Sequence, residues 1–421
     1  MIYIPFTYFL VLLIVNVIRT KGFNLGSFLL SLYALSALLS IFLYSVEFLH
    51  YKDTDIALSS CIFYCVVLTI FFFPFLSKSR SKEHRIVLPD DKAFMYISFF
   101  LIAINIAGIL MLLKTIVFVL GYDPKSLRDA GLKSVYSTGT IETAGLWLLG
   151  HFSDFYLVLL IFFFYSVTYL KKGTAFNGFL FIASLSTIVN GLMSGGRTQI
   201  IYWLLVFISC FLYFRKDMAA KLRKRLVLFG MIILSLIVTY IVAVTASRFE
   251  NAFSGETDYE EAFSVIDYSG QIFLNFNNFF TNFEHKGYTF ARIFPFIYDW
   301  THAVNFDLSV YKRSIAMDIG VFSTFLGDWY IDMGITGIIL YTFFYSIAGI
   351  LIRKDYIPGT RKLQQLLLYF LIFQIPLNGL FYYSLYNKTA MISVIGTVII
   401  CCIFRFSEGE QMELADKSMA V

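Results

Sequence analysis

Charge is what this sequence has least of. Asp, Glu, Lys and Arg make up 14% of its 421 residues. Soluble domains carry about a quarter. That shortage excludes the ordinary water-soluble classes, because too little polar side chain is present to cover the surface of a folded chain this long. The net charge of +5 gives no argument for a nucleic-acid partner, since the basic residues sit in short clusters between apolar runs, as membrane topology requires. Histidine is also scarce, at five residues, and nothing has the spacing of a metal motif such as His-Glu-x-x-His, so no metal and no cofactor are expected. The five cysteines, Cys61, Cys65, Cys210, Cys401 and Cys402, all fall inside apolar segments, which argues against a disulfide framework. No basic region precedes the first apolar run; Arg19 and Lys21 follow it, so this run is expected to remain as a helix.

Apolar residues are abundant: 58% of the chain is hydrophobic and mean hydropathy is +0.74. The apolar segments are continuous rather than alternating, which favours spanning helices over a barrel. The expected fold is therefore an all-α polytopic membrane protein, a single integral-membrane domain over 1–421 with about eleven transmembrane helices. Their expected positions are 2–18, 24–46, 57–76, 94–113, 145–169, 174–192, 199–214, 226–246, 333–352, 364–383 and 389–405. Basic clusters follow every odd-numbered segment: Arg19 and Lys21; Lys78 to Arg85; Lys171 and Lys172; Arg215 to Arg225; and Arg353 to Lys362. These loops belong on the cytoplasmic side, which puts the N-terminus outside and the C-terminus inside. Residues 114–144 and 247–332 then become long external loops, where function concentrates.

Three stretches carry candidate chemistry. The first is Gly191-Leu-Met-Ser-Gly-Gly-Arg197-Thr198, between the sixth and seventh segments. An arginine among three glycines and two hydroxyl residues, at the tip of a helix hairpin, makes a small anion cradle. The bland alternative is a turn with one snorkelling cation. The second, in the first long loop, is Lys125 to Lys133 after Asp123-Pro124, which reads as a short surface helix carrying Arg128. The third is the large loop, 247–332, expected to fold back over the bundle. It opens at Arg248 and contains Arg292, His302 and Arg313. Its residues Phe276, Phe279, Phe280 and Phe283 have helical spacing. It ends in Phe325-Leu-Gly-Asp328-Trp-Tyr-Ile-Asp332-Met-Gly334-Ile-Thr-Gly337, where the two acids share one face of any helix. Pro376 and Asn378 interrupt the tenth segment.

These three stretches, in a bundle with a large external loop before the ninth helix, resemble the bacterial oligosaccharide repeat-unit polymerases, the Wzy-type O-antigen polymerases. The resemblance covers most of the chain as topology and a few dozen residues as motif. It implies a glycosyltransferase C-like bundle in the bacterial inner membrane. It implies a metal-independent glycosyltransferase whose donor and acceptor are both undecaprenyl-diphosphate-linked glycans. A flippase and a chain-length regulator would be neighbours in the bilayer, and the large loop and N-terminus would be periplasmic. The leaving diphosphate calls for arginines, with Arg197 and Arg248 first, Arg128 as a helper, and Arg292 and Arg313 on the same expected side. His302 and Asp328 are the candidates for the group that receives the acceptor proton. The related O-antigen ligases carry a histidine near the end of the large loop; here Ser323 and Thr324 stand there. The alternatives are a flippase or transporter of the same lipid-linked glycan, and an O-antigen ligase.

Overall fold

A computed structural model describes residues 1–46, 54–76, 85–87, 91–120, 140–193, 197–249, 259–283, 293–294, 322–353 and 360–419. In chain order the helices are α1 (Tyr3–Thr20), α2 (Leu25–Ser45), α3 (Leu58–Leu76), α4 (Asp91–Met111), α5 (Leu113–Leu120), α6 (Thr140–Phe152), α7 (Tyr156–Tyr165), α8 (Thr174–Ser184), α9 (Ser186–Met193), α10 (Thr198–Phe214), α11 (Ala220–Phe249), α12 (Tyr259–Asn282), α13 (Thr324–Arg353), α14 (Leu363–Asn378) and α15 (Lys388–Met419). A short 3-10 turn, Ser153–Phe155, joins α6 to α7, and a π turn, Ser166–Leu170, ends α7. Two three-residue strands, β1 (Arg85–Val87) and β2 (Thr360–Lys362), pair in parallel with Arg85 opposite Thr360.

Among the described residues seven helices are long and apolar enough to cross a membrane: Tyr3–Thr20, Leu25–Ser45, Leu58–Leu76, Asp91–Met111, Thr140–Leu170, Thr174–Met193 and Thr324–Ile352. Thr198–Phe214, Leu363–Asn378 and Thr389–Arg405 are shorter apolar helices, and α11 covers the expected eighth segment. Of the boundaries that differ from expectation, two bear on the candidate site. The expected tenth segment, 364–383, stops as a helix at Asn378, because Pro376 supplies no N–H to the helix ladder. The expected ninth segment, 333–352, begins as a helix at Thr324, so the stretch expected to close the large loop is helical.

The chain divides into two compact units, residues 1–82, 262–354 and 372–391, and residues 83–261, 355–371 and 392–421. In the first unit, Asn24 caps α2 by accepting from the Ser27 N–H at 2.9 Å. Asn16 on α1 donates to Asn24 Oδ1 at 3.1 Å and to Ser27 Oγ at 2.8 Å, which satisfies a buried amide and locks the α1–α2 turn. Phe9, Tyr33, Tyr64 and Phe72 form the aromatic centre of α1–α3.

Helix α12 lies against this group. Ser36 and Ser40 on α2 donate to the carbonyls of Ser269 and Gly270 at 2.7 and 2.5 Å. Phe273 and Phe276 pack on Tyr64, with centroids 5.2 and 5.1 Å away. Asn277 serves as a cap borrowed from another element. Its Oδ1 accepts from the Ala57 N–H at 3.0 Å and its Nδ2 donates to the Asp55 carbonyl at 2.8 Å, just before α3 begins.

Two prolines direct the docking of α13. A proline leaves the carbonyl four residues back without its helical donor, and in an apolar medium that oxygen needs another. Pro74 frees Ile70, whose carbonyl accepts from Ser346 Oγ at 2.9 Å. Pro376 frees Ile372, whose carbonyl accepts from the Tyr345 hydroxyl at 2.7 Å. One turn on, Gly349 leaves the space that Pro74 occupies: a Cβ there would stand 2.6 Å from the Pro74 ring.

In the second unit, α7 is the centre. All ten of its residues are buried, as expected of a helix that is apolar on every side. Phe162 meets Phe94 of α4 at 4.9 Å, and Phe164 meets Phe207 of α10 at 5.2 Å. Trp203 on α10 donates to Ser184 Oγ at 3.1 Å. Lys172 pairs with Asp91 at 2.8 Å at a wetter end of the same group.

Candidate functional site

Arg197 follows the Ser194-Gly195-Gly196 stretch, which lies outside the described residues, and stands at the N-cap position of α10. Its carbonyl accepts from the Ile201 N–H at 3.2 Å, so the first helical bond starts from the arginine itself. The residue is only 8% exposed. A helix N-terminus already carries partial positive charge and unsatisfied N–H groups. A buried guanidinium at the same point adds a full positive charge and a fork of donors. Both favour an anion with several oxygens, such as a phosphate or diphosphate. Nearby, Asn190 donates to Ser153 Oγ at 3.2 Å, holding α9 to the turn that precedes α7.

The second candidate group lies in the first unit, on α13. This helix is really two: it breaks at Gly334, whose φ of 63° and ψ of −170° belong to glycine almost alone. The shorter piece, from Thr324 to the break, is buried almost throughout, with Asp328 2% exposed and Asp332 fully buried. Asp328 Oδ2 accepts from the Tyr383 N–H at 2.6 Å, and Asp332 Oδ2 accepts from the Ile293 N–H at 2.7 Å. The entry to the piece is irregular as well. Ser323 and Thr324 both donate their N–H groups to the Phe381 carbonyl, at 3.1 and 3.0 Å, and Phe325 donates to Gly379 at 2.8 Å. Thr324 has a φ of 63°, an outlier for a β-branched residue, and its Oγ1 accepts from the Leu326 N–H at 3.1 Å. Trp329 packs against Phe325, Tyr341 and Tyr383, with centroids 4.9, 4.3 and 5.6 Å away.

These two acids were legible as a pair four residues apart. Their surroundings were not: both acids lie buried on a broken helix. Ionisable side chains at membrane depth are costly and mark function by default, and non-helical backbone there is tolerated only where protein or a cavity surrounds it. The residues whose N–H groups hold the acids, Tyr383 and Ile293, carry no sequence signal of that role. The signals the sequence does carry there are the glycines at 334 and 337 and the proline at 376, all helix punctuation inside apolar runs.

Of the other candidate residues, Arg248 lies on α11 near its end, and its side chain is outside the described residues. Arg128, Arg292, His302 and Arg313 lie outside them altogether, as does the Lys125–Lys133 stretch. Among the described residues no three His, Cys, Asp or Glu side chains gather as metal ligands do. The class the fold defines is a helical, multi-pass membrane protein. Comparison of the chain with protein-family models, characterised proteins and solved structures returned no match.

Proposed function

We propose that this protein polymerises lipid-diphosphate-linked oligosaccharide repeat units, at the periplasmic face of a bacterial inner membrane, through a bundle of about eleven spans. The observation that carries the reading is Arg197, a nearly buried cation at the N-terminus of α10. In the reaction the acceptor hydroxyl attacks the anomeric carbon of the growing glycan. The new glycosidic bond forms as the bond to the lipid diphosphate breaks. The hydroxyl proton passes to a base, and the diphosphate leaves with its bonding electron pair. Negative charge grows on the bridging oxygen, and donors fixed in place before the reaction stabilise it best. Arg197 takes that role here, with Arg248 as its expected partner, and Asp328 or His302 receives the proton.

The test is substitution of Arg197 with two measurements, the amount of protein in the membrane and the length of surface glycan on gels. Arg197→Ala is expected to insert normally and to slow chain growth roughly a hundredfold, the cost of one charge-assisted contact at a developing anion. Arg197→Lys keeps the charge but loses the fork, and is expected to fall between. Full-length polymer from a normally inserted Arg197→Ala protein would end this reading.

A second reading, a transporter of the same lipid-linked glycan, draws on a different observation: broken helices with buried polar groups are a common way to build a transport site, and α13 is one. Cells lacking the protein separate the two. Glycan of a single repeat would indicate a lost polymerase, and no surface glycan at all would indicate a lost transporter.

A further inference from the structure

At the opposite end of α10 from Arg197, the structure holds a cleft of about 550 Å³. About 26 Å of helix separates the two ends, at 1.5 Å per residue. Four cations line the cleft: Arg215 and Lys216 at the end of α10, and Arg223 and Lys224 in the first turns of α11. Below them the wall turns apolar, with Val227, Leu228 and Met231 continuing the same helix. The spacing 223, 227, 231 and 224, 228 sets basic heads and apolar side chains along one stripe.

The basic residues at the start of α11 do not serve the helix. Lys221, Arg223, Lys224 and Arg225 crowd its N-terminal end, and its first turn contains no acid. Cations at the positive end of a helix dipole are unfavourable. The one acid between 215 and 225, Asp217, accepts a hydrogen bond from the Tyr169 hydroxyl. An external anion would offset this excess of positive charge. The apolar wall says what kind: Leu228 and Met231 are 58% and 55% exposed, and the exposed apolar surface runs on through Ile232 and Leu236. A free phosphate would gain nothing from that wall, whereas a phosphate carried by acyl chains fills both halves.

We infer that this cleft is a binding site for an anionic phospholipid, with its phosphate among Arg215, Lys216, Arg223 and Lys224 and its chains along Val227, Leu228 and Met231. Basic pockets between spanning helices are a recurrent way to hold anionic lipid head groups. The site is separate from the Arg197 end of the helix and does not depend on the polymerase reading.

The experiment uses the full-length protein in bilayer discs of phosphatidylcholine containing a spin-labelled phosphatidylglycerol, with spin-labelled phosphatidylcholine as the neutral probe. The fraction of motionally restricted probe gives the relative affinity. The wild-type protein is expected to select phosphatidylglycerol over phosphatidylcholine. The double variant Arg223→Gln/Lys224→Gln is expected to lose about thirtyfold of that selectivity, from two surface charges removed. Lys221→Gln/Arg225→Gln removes the same charge from the same turns but outside the lining, and is expected to keep most of it. Met231→Trp, which fills the apolar wall and changes no charge, is expected to lower binding of the labelled lipid as well. The inference fails if the two double variants lose selectivity equally, because the effect is then general surface charge. It also fails if Met231→Trp binds as the wild type does, or if inorganic phosphate displaces the lipid completely.

Discussion

Asp328 and Asp332 sit four residues apart, yet each has a different backbone donor, and these donors lie 55 and 39 residues away in the sequence. Spacing could reveal that the acids share a helix face; no local pattern could reveal the N–H groups they meet, because those belong to separate segments. A carboxylate that accepts a backbone N–H can act as a staple, as a base, or as both. Asparagine separates these roles, since its oxygen still accepts the N–H but cannot take up a proton. In the polymerase reading, Asp328→Asn is expected to insert at the wild-type level and to lose chain growth by about a hundredfold, within the range for a general base. Asp332→Asn is expected to retain growth. Membrane protein level and glycan length, measured together, check both. If Asp328→Asn left both at the wild-type level, the residue would be a staple and His302 would remain as the candidate base.

At the scale of elements, apolar periodicity placed helices well and placed their interruptions poorly. The stretch from Thr324 to Met333 reads as the end of a loop because it holds two acids and leads into two glycines. It forms a helix because its acids find donors inside the fold and its aromatics, Phe325 and Trp329, pack against Phe71 of α3, at 5.0 and 5.3 Å. In the same way, Phe276 and Phe279 were legible as one face of a helix, while the capping of α3 by Asn277 was not. The break at Gly334 carries the geometry of the whole segment. Alanine at this φ and ψ is strained by about 1–3 kcal/mol. Gly334→Ala is therefore expected to lower the unfolding midpoint of the protein in detergent. Gly178→Ala is the control: it lies within α8 with open space around its position, and is expected to be neutral or slightly stabilising. Equal midpoints for the two variants would show that the break relaxes without cost.

For the whole molecule, the compact units do not follow the order of the chain: residues 262–354 and 372–391 join the first 82, and 355–371 and 392–421 join 83–261. Hydropathy reads segments one at a time and has no access to such pairing, so the sequence reading of one continuous domain left it out. What hydropathy and charge do address together is orientation. The basic clusters at 78–85, 171–172, 215–225 and 353–362 each follow an odd-numbered apolar segment. An even number of crossings separates each from the next, so all of them stay on one side only if every intervening segment either crosses or fails in pairs. The side that keeps lysine and arginine is the cytoplasm, and on that rule the stretch between α11 and α13 is expected to be external. Single cysteines in a background where the five native ones are replaced, probed in intact cells with a membrane-impermeant thiol reagent, test this directly. Asp258→Cys is expected to be labelled, and Lys216→Cys to be labelled only after the membrane is opened. The opposite pattern would move Arg197 to the cytoplasmic side, where a polymerase acting on exported glycan has no substrate, and the transporter reading would then take precedence.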